Sequence, residues 1–193
     1  MVGCSLVFFL MFFLSLTVLQ AQQALHVVSF VVPEEIREFK QFAEVLSFDD
    51  VRGNTELRDL LEEMMVRYYI EMRYTMLADF SEMQRRWGSG GAVWRLSSPK
   101  VFRGFAINEE KLQDLCVEKK VTQTVRITSV KKEVRGVYSV LFNLTRIVSG
   151  KQTEKKMKVS LGYTYANGYR IFRSDFVNPY GLVFVGFDAT EVK

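Results

Sequence analysis

The period of the apolar residues changes along this chain, and that change limits what it can fold into. Between Asn54 and Met76, Leu57, Leu60, Leu61, Met64, Met65, Tyr68, Met72 and Met76 recur at three- and four-residue steps, one side of a 3.6-residue helix. Asn54 is placed to cap that helix, with Glu56 and Asp59 at the positive end of its dipole. From Val121 onward the period is two. Strands are expected near Thr122–Val130, Val137–Ile147, Lys156–Tyr165 and Tyr169–Val177, with a further apolar run at Leu182–Phe187. In the second strand Tyr138, Val140, Phe142 and Leu144 share a face; in the third Met157, Val159, Leu161, Tyr163 and Tyr165 do, opposite Lys158, Ser160 and Thr164. One apolar and one wet face describe an antiparallel sheet. Turns are marked by Ser149-Gly150 and Asn167-Gly168. Helices first and a meander afterwards make an α+β domain, a curved antiparallel sheet packed on the long helix.

Between helix and sheet the signals are local. Phe80, Met83 and Trp87 continue the helical spacing until Gly88-Ser89-Gly90-Gly91 interrupts it. Ser98-Pro99 supplies a cap and first residue for a short helix through about Phe105, and Asn108-Glu109-Glu110 starts another through about Val117.

The N-terminal part obeys a different physics. No Asp, Glu, Lys or Arg precedes Glu34, and Val2 to Leu19 is an apolar run broken only by Gly3, Ser5, Ser15 and Thr17. That length is close to the roughly 20 residues of a membrane-spanning helix. A cleavable signal would have a basic start, a shorter core and a small-x-small site, and none of these is present. Residues 1–24 are therefore expected to be a transmembrane anchor, 25–53 a membrane-proximal stalk and 54–193 the folded domain. Leu25 to Val32 fits either a strand or a continuation of the span, whereas Ile36, Phe39, Phe42 and Val45 fit a short helix. Scarce basic residues beside the span lean towards a non-cytoplasmic domain.

Chemistry-bearing residues are few. Cys4 lies in the leader and Cys116 in the domain, so no intradomain disulfide can form, and no histidine follows His26. No catalytic, cofactor or metal constellation stands out. Of the basic residues, Lys131, Lys132 and Arg135 and then Lys151, Lys155, Lys156 and Lys158 fall near consecutive turns, expected as solvated tips a strand length apart rather than a nucleic-acid stripe. Asn143-Leu144-Thr145 is a glycosylation sequon in mid-strand, an awkward place for a glycan.

Asn178-Pro179-Tyr180-Gly181 fits a turn with Pro at the second corner and Gly at the fourth. With the LVFVGF that follows, it resembles the Asn-Pro-x-Gly signature of the eighth VirB subunit, the inner-membrane assembly protein of type IV secretion systems. Tyr69-Ile70-x-x-Arg73 looks like that family's Tyr-Val-x-x-Arg-Glu-x-Tyr, with Tyr74 where Glu is usual and Met76 where Tyr is usual. Ser97-Ser98-Pro99-x-Val101 is similar to its next helix start. The family's cytoplasmic tail before the span has no counterpart here. The resemblance implies a bitopic inner-membrane protein with a periplasmic domain of the nuclear-transport-factor-two-like fold. It implies homodimers, contacts with other channel subunits and no direct nucleic-acid contact. Asn178, Pro179, Gly181 and, more weakly, Arg73 are the motif positions carried over; no catalytic residue is. The competing expectations are a small-ligand binder or enzyme on the same cone-shaped fold, and a secreted basic binding protein whose leader is removed.

Overall fold

A computed structural model describes residues 55–134, 136–166, 171–173, 176–178 and 181–192. The expected anchor, the stalk, the Asn54 cap, the Asn167-Gly168 turn and Pro179 lie outside the described residues. None of the described helices is long and apolar enough to cross a membrane. The chain divides into two compact units, Met1–Arg58 with Phe172–Val177, and Asp59–Ile171 with Asn178–Lys193. Nearly all described residues belong to the second.

The long helix α1 spans Thr55–Tyr74. It is followed by α2 (Phe80–Trp87), α3 (Ala92–Leu96), α4 (Pro99–Phe105) and α5 (Glu109–Gln113), which runs into one π-helical turn at Asp114–Glu118. The caps are those written locally: Asp79 accepts from Glu82 N, Ser98 from Val101 N and Asn108 from Lys111 N. Gly91 is required sterically, because a Cβ there would stand 2.5 Å from the Arg85 carbonyl oxygen.

Strands β1 (Thr122–Val134), β2 (Val137–Val148), β3 (Lys151–Tyr165) and β6 (Leu182–Val192) form one antiparallel sheet in the order β1-β2-β3-β6. The strands run longer than the apolar alternation suggests, because polar pairs such as Thr145–Glu154 continue the ladder beyond the core. Ser149 and Gly150 both have positive φ, 50° and 79°, which matches the right-handed twist of the β2–β3 hairpin. The expected single strand Tyr169–Val177 is replaced by two three-residue strands, β4 (Ile171–Arg173) and β5 (Phe176–Asn178), paired with each other.

The core face of α1 differs from the expected stripe. Leu61, Glu62, Val66, Tyr69, Ile70 and Arg73 are buried, while Leu57, Leu60, Met64, Met65, Tyr68 and Met72 are half-buried. Positions 62, 66, 69 and 73 sit one residue beyond 61, 65, 68 and 72, a rotation of about 100° on a 3.6-residue helix. The cause is on the sheet. Its inner face carries Tyr138, Tyr163 and Tyr165, whose hydroxyls need polar partners, and aromatic rings that accept an arginine. A wholly apolar helix face would leave those hydroxyls unmatched. Beyond α1, Met76 pairs both ways with Gln123, N to O at 2.8 Å in each direction. The Gln123 side chain donates to the Tyr74 carbonyl and accepts from Arg146 Nε, so the end of α1 is fastened to β1.

Candidate functional site

The three segments that carry the motifs meet in one packed unit. Tyr69, in the penultimate turn of α1, is fully buried, and its ring stacks on Phe184 of β6 with centroids 4.2 Å apart. Its hydroxyl is hydrogen-bonded to Ser97 Oγ at 2.8 Å and accepts from Arg73 Nη1 at 3.0 Å. Ser97 forms a parallel bridge with Phe184, and Ser98 N donates to the Phe184 carbonyl at 2.9 Å before Ser98 caps α4. One tyrosine thus joins the helix, the Ser-Ser-Pro corner and the strand after the Asn-Pro-x-Gly turn.

Arg73 is 9% exposed and lies among aromatic faces, with its guanidinium carbon 3.8 Å from the Phe187 ring centre and 4.5 Å from that of Phe105. Among the described residues no carboxylate forms a salt bridge with it. Each such cation–π contact contributes about 0.5–2 kcal/mol when desolvated. Tyr74, where the related motif has Glu, places its ring 4.8 Å from Phe142 instead of supplying a counter-charge. Burial pushes the Tyr69 hydroxyl above its ordinary pKa against the opposing Arg73 charge and Ser97 hydrogen bond, so it stays protonated.

Asn178 is a lock on the start of β6. It is 1% exposed; its Nδ2 donates to Leu182 O at 2.8 Å and its Oδ1 accepts from Leu182 N at 2.9 Å. Its own carbonyl accepts from Gly181 N at 3.2 Å, and Gly181 O accepts from Ala166 N at 2.8 Å. Gly181 has φ +65°, a left-handed value that glycine adopts without strain. The register so begun meets a bulge at Gly162/Tyr163. Phe184 and Phe187, three positions apart, consequently pair with Tyr163 and Leu161 and both face α1. Asn178 and Arg73 make no direct contact; β6 connects them.

A second cluster has no motif in the sequence. Glu62 is 4% exposed, and its carboxylate accepts from Lys132 Nζ at 2.8 Å, Tyr138 at 3.2 Å, Tyr163 at 2.5 Å and also Tyr165. Lys132 donates to Asp59 as well, at 2.8 Å. Burial works to raise the Glu62 pKa, yet the hydrogen bonds from Lys132, Tyr163 and Tyr165 prevail and hold it below the ordinary carboxylate value. Burial and the Glu62 carboxylate push Tyr163 up to about 12, and Tyr138 is raised by burial and the same charge. Glu62 remains ionised and these tyrosines remain protonated at neutral pH, whereas a general acid or base works best near pH 7. The cluster ties α1 to the sheet. The one sequence signal for it is polar: three tyrosines at inward positions of β2 and β3. Among the described residues no three His, Cys, Asp or Glu side chains are grouped to hold a metal, and Cys116 is buried and free.

The fold and these packed segments define a class: an α+β domain in which a long helix lies on a four-stranded antiparallel sheet, with small helices between them. No family model and no curated protein matches the chain. Solved structures do. TraE, solved in complex with 2-(2-furyl)isonicotinic acid, matches at TM-score 0.56 and 20% identity over 68% of this chain and 96% of its own. VirB8 of Agrobacterium tumefaciens matches at TM-score 0.55 and 17% identity over 69% and 92%. The soluble domain of TrwG of the type IV secretion machinery of Bartonella grahamii matches at 0.55 and 18% over 69% and 95%. The chain has the fold of these domains, and the resemblance to the eighth VirB subunit read from its motifs extends to three dimensions.

Proposed function

We propose that this chain is a structural assembly subunit of a bacterial type IV secretion system. In this reading residues 1–24 are a single inner-membrane span, 25–53 a stalk, and 54–193 a periplasmic domain of nuclear-transport-factor-two type. The domain forms homodimers and is held by other channel subunits. The observation that carries the reading is the joining of all three motif segments through Tyr69, Ser97 and Phe184 on a fold shared with VirB8, TraE and TrwG. Asn178 fixes the start of β6 through its two bonds to the Leu182 backbone, and Arg73 adds a buried cation that forms no salt bridge among the described residues. The ionised, fully engaged Glu62 supports a non-catalytic role. Crosslinking of intact envelopes followed by mass spectrometry should recover the chain with itself and with secretion-channel subunits. Recovery of the chain alone in the membrane refutes the proposal.

A further inference from the structure

The outer face of the sheet, away from α1, gathers cations that the sequence spreads over two turns. In register, Arg126, Asn143, Lys156 and Val192 stand side by side; Ser129, Leu141, Lys158 and Thr190 form the next row, and Lys131, Ser139, Ser160 and Asp188 the row beyond. Lys131 opposes Ser139 and Lys158 opposes Leu141, two residues apart on β2, so the two basic groups meet diagonally across one strand. Lys131 stands three residues before the end of the 13-residue β1, as a tip residue would, whereas Lys156 and Lys158 are the sixth and eighth of the 15 residues of β3 and only Lys151 of their group sits at the far turn. Lys132 and Lys155 instead turn to the inner side, where Lys155 pairs with Glu191.

Arg126, Lys131, Lys156 and Lys158 are all exposed, and among the described residues none forms a salt bridge. The carboxylates in register on their face are Asp188, opposite Ser160, and Glu154, opposite Thr145; Glu133 is exposed at the bulge between Lys132 and Val134. We propose that this face docks on anionic phospholipid headgroups of the bilayer that holds the chain's own leader, an inference that rests on the tethered reading above. The composition selects the occupant. Single-stranded nucleic acid requires aromatic platforms for its bases, and no Phe, Tyr or Trp stands in these rows. Protein interfaces are anchored by buried aromatics and depleted in lysine, whereas three of the four cations here are lysines. A lysine-rich, aromatic-free face suits a diffuse negative surface, where each basic side chain strengthens attachment about fivefold. The 29 residues of the stalk, 25–53, reach at most about 100 Å, so the bilayer is always near. Weak attraction per charge therefore suffices.

The test uses the full chain inserted in lipid nanodiscs, labelled with a donor dye at Asn143→Cys in a Cys4→Ser background, with an acceptor on the lipid headgroups. Energy transfer should be higher in phosphatidylglycerol-rich discs than in phosphatidylcholine discs. It should fall to the phosphatidylcholine level in about 1 M salt, where the Debye length is about 3 Å. The combined Arg126→Gln, Lys131→Gln, Lys156→Gln and Lys158→Gln variant should lose the rise. Lys100→Gln with Arg103→Gln, exposed positions on α4, should keep it, and a label at Glu110→Cys on α5 should show none. Equal transfer in both lipids, or a rise that survives salt or the fourfold variant, overturns the proposal. Displacement by an oligonucleotide or a polyglutamate peptide at micromolar concentration assigns the face to nucleic acid or acidic protein and overturns it too. A chain that inserts into neither disc refutes the tether itself. Its binding to free anionic but not neutral vesicles would then uphold the face alone, and binding to neither would discard both.

Discussion

Glu62→Gln is the sharpest test of how α1 is held to the sheet. The carboxylate is 4% exposed and takes hydrogen bonds from Lys132, Tyr138, Tyr163 and Tyr165. Bonds to a charged acceptor contribute about 1.5–3 kcal/mol and neutral ones about 0.5–1.5, so an amide weakens each by roughly 1 kcal/mol. Relief from burying a charge offsets part of that, leaving an expected loss of about 2–3 kcal/mol. Glu62→Ala strands the hydroxyls of Tyr138 and Tyr163 over a void and should lose about 3–5 kcal/mol. Urea unfolding of the full chain in mild detergent, followed by near-ultraviolet circular dichroism, measures both. For a slope of about 2 kcal/mol/M the midpoints should fall by about 1–1.5 M and roughly 2 M. The pH dependence has a definite sign. Glu62 titrates in the folded chain below its ordinary value of 4.5, so its contribution is complete above that value and is lost as pH falls through the folded value. The gap between the wild type and Glu62→Gln should therefore be full at neutral pH and close in acid. Equal midpoints at neutral pH, or a gap that persists in acid, would refute the assignment.

Asn178→Ala removes both bonds to the buried Leu182 backbone and should lower stability by about 2–4 kcal/mol, with Asn178→Asp intermediate because it keeps only the bond from Leu182 N; urea midpoints report both. Arg73→Met keeps volume while deleting a buried charge, so it should change stability by less than about 1.5 kcal/mol but weaken envelope crosslinking to partners; unchanged crosslinking would show that Arg73 only packs. Gly91→Ala forces Cβ against the Arg85 and Arg86 carbonyl oxygens, at 2.5 and 2.7 Å, and should cost about 2 kcal/mol or more by shifting the α2–α3 corner, read as a lower thermal midpoint. Mass spectrometry of the mature protein should find residues 1–24 retained, and loss of the first twenty-odd residues would overturn the anchor.

Local chemistry is the part of this structure that can be read from the chain. Ser98 before Pro99 and Asn108 before two glutamates cap helices where they stand, because a cap needs only a side chain and the amides three residues on. The two-residue period from Val121 yields the sheet strands, and Ser149-Gly150 the turn of the β2–β3 hairpin. The rotation of α1 is not readable: the helix carries apolar residues at Leu61, Met65, Tyr68 and Met72 and also at Val66, Tyr69 and Ile70, so periodicity admits two faces. The Glu62 cluster is equally silent, since its donors stand 70 to 103 residues away in sequence. Of the motif residues, Asn178 accepts from Gly181 N within its own segment, whereas the aromatic surroundings of Arg73 depend on Phe105 and Phe187, which no local pattern ties to it.

By itself the sequence determined the long helix, the caps at Ser98 and Asn108, the four strands of the main sheet and the Ser149-Gly150 turn, all of which depend on neighbours within a few positions. Only the tertiary structure decided which side of α1 faces the sheet, that a buried carboxylate binds three tyrosines, and that cations from two turns share one outer face. Those outcomes follow from strand register and the satisfaction of buried polar groups, which act between residues far apart in the chain.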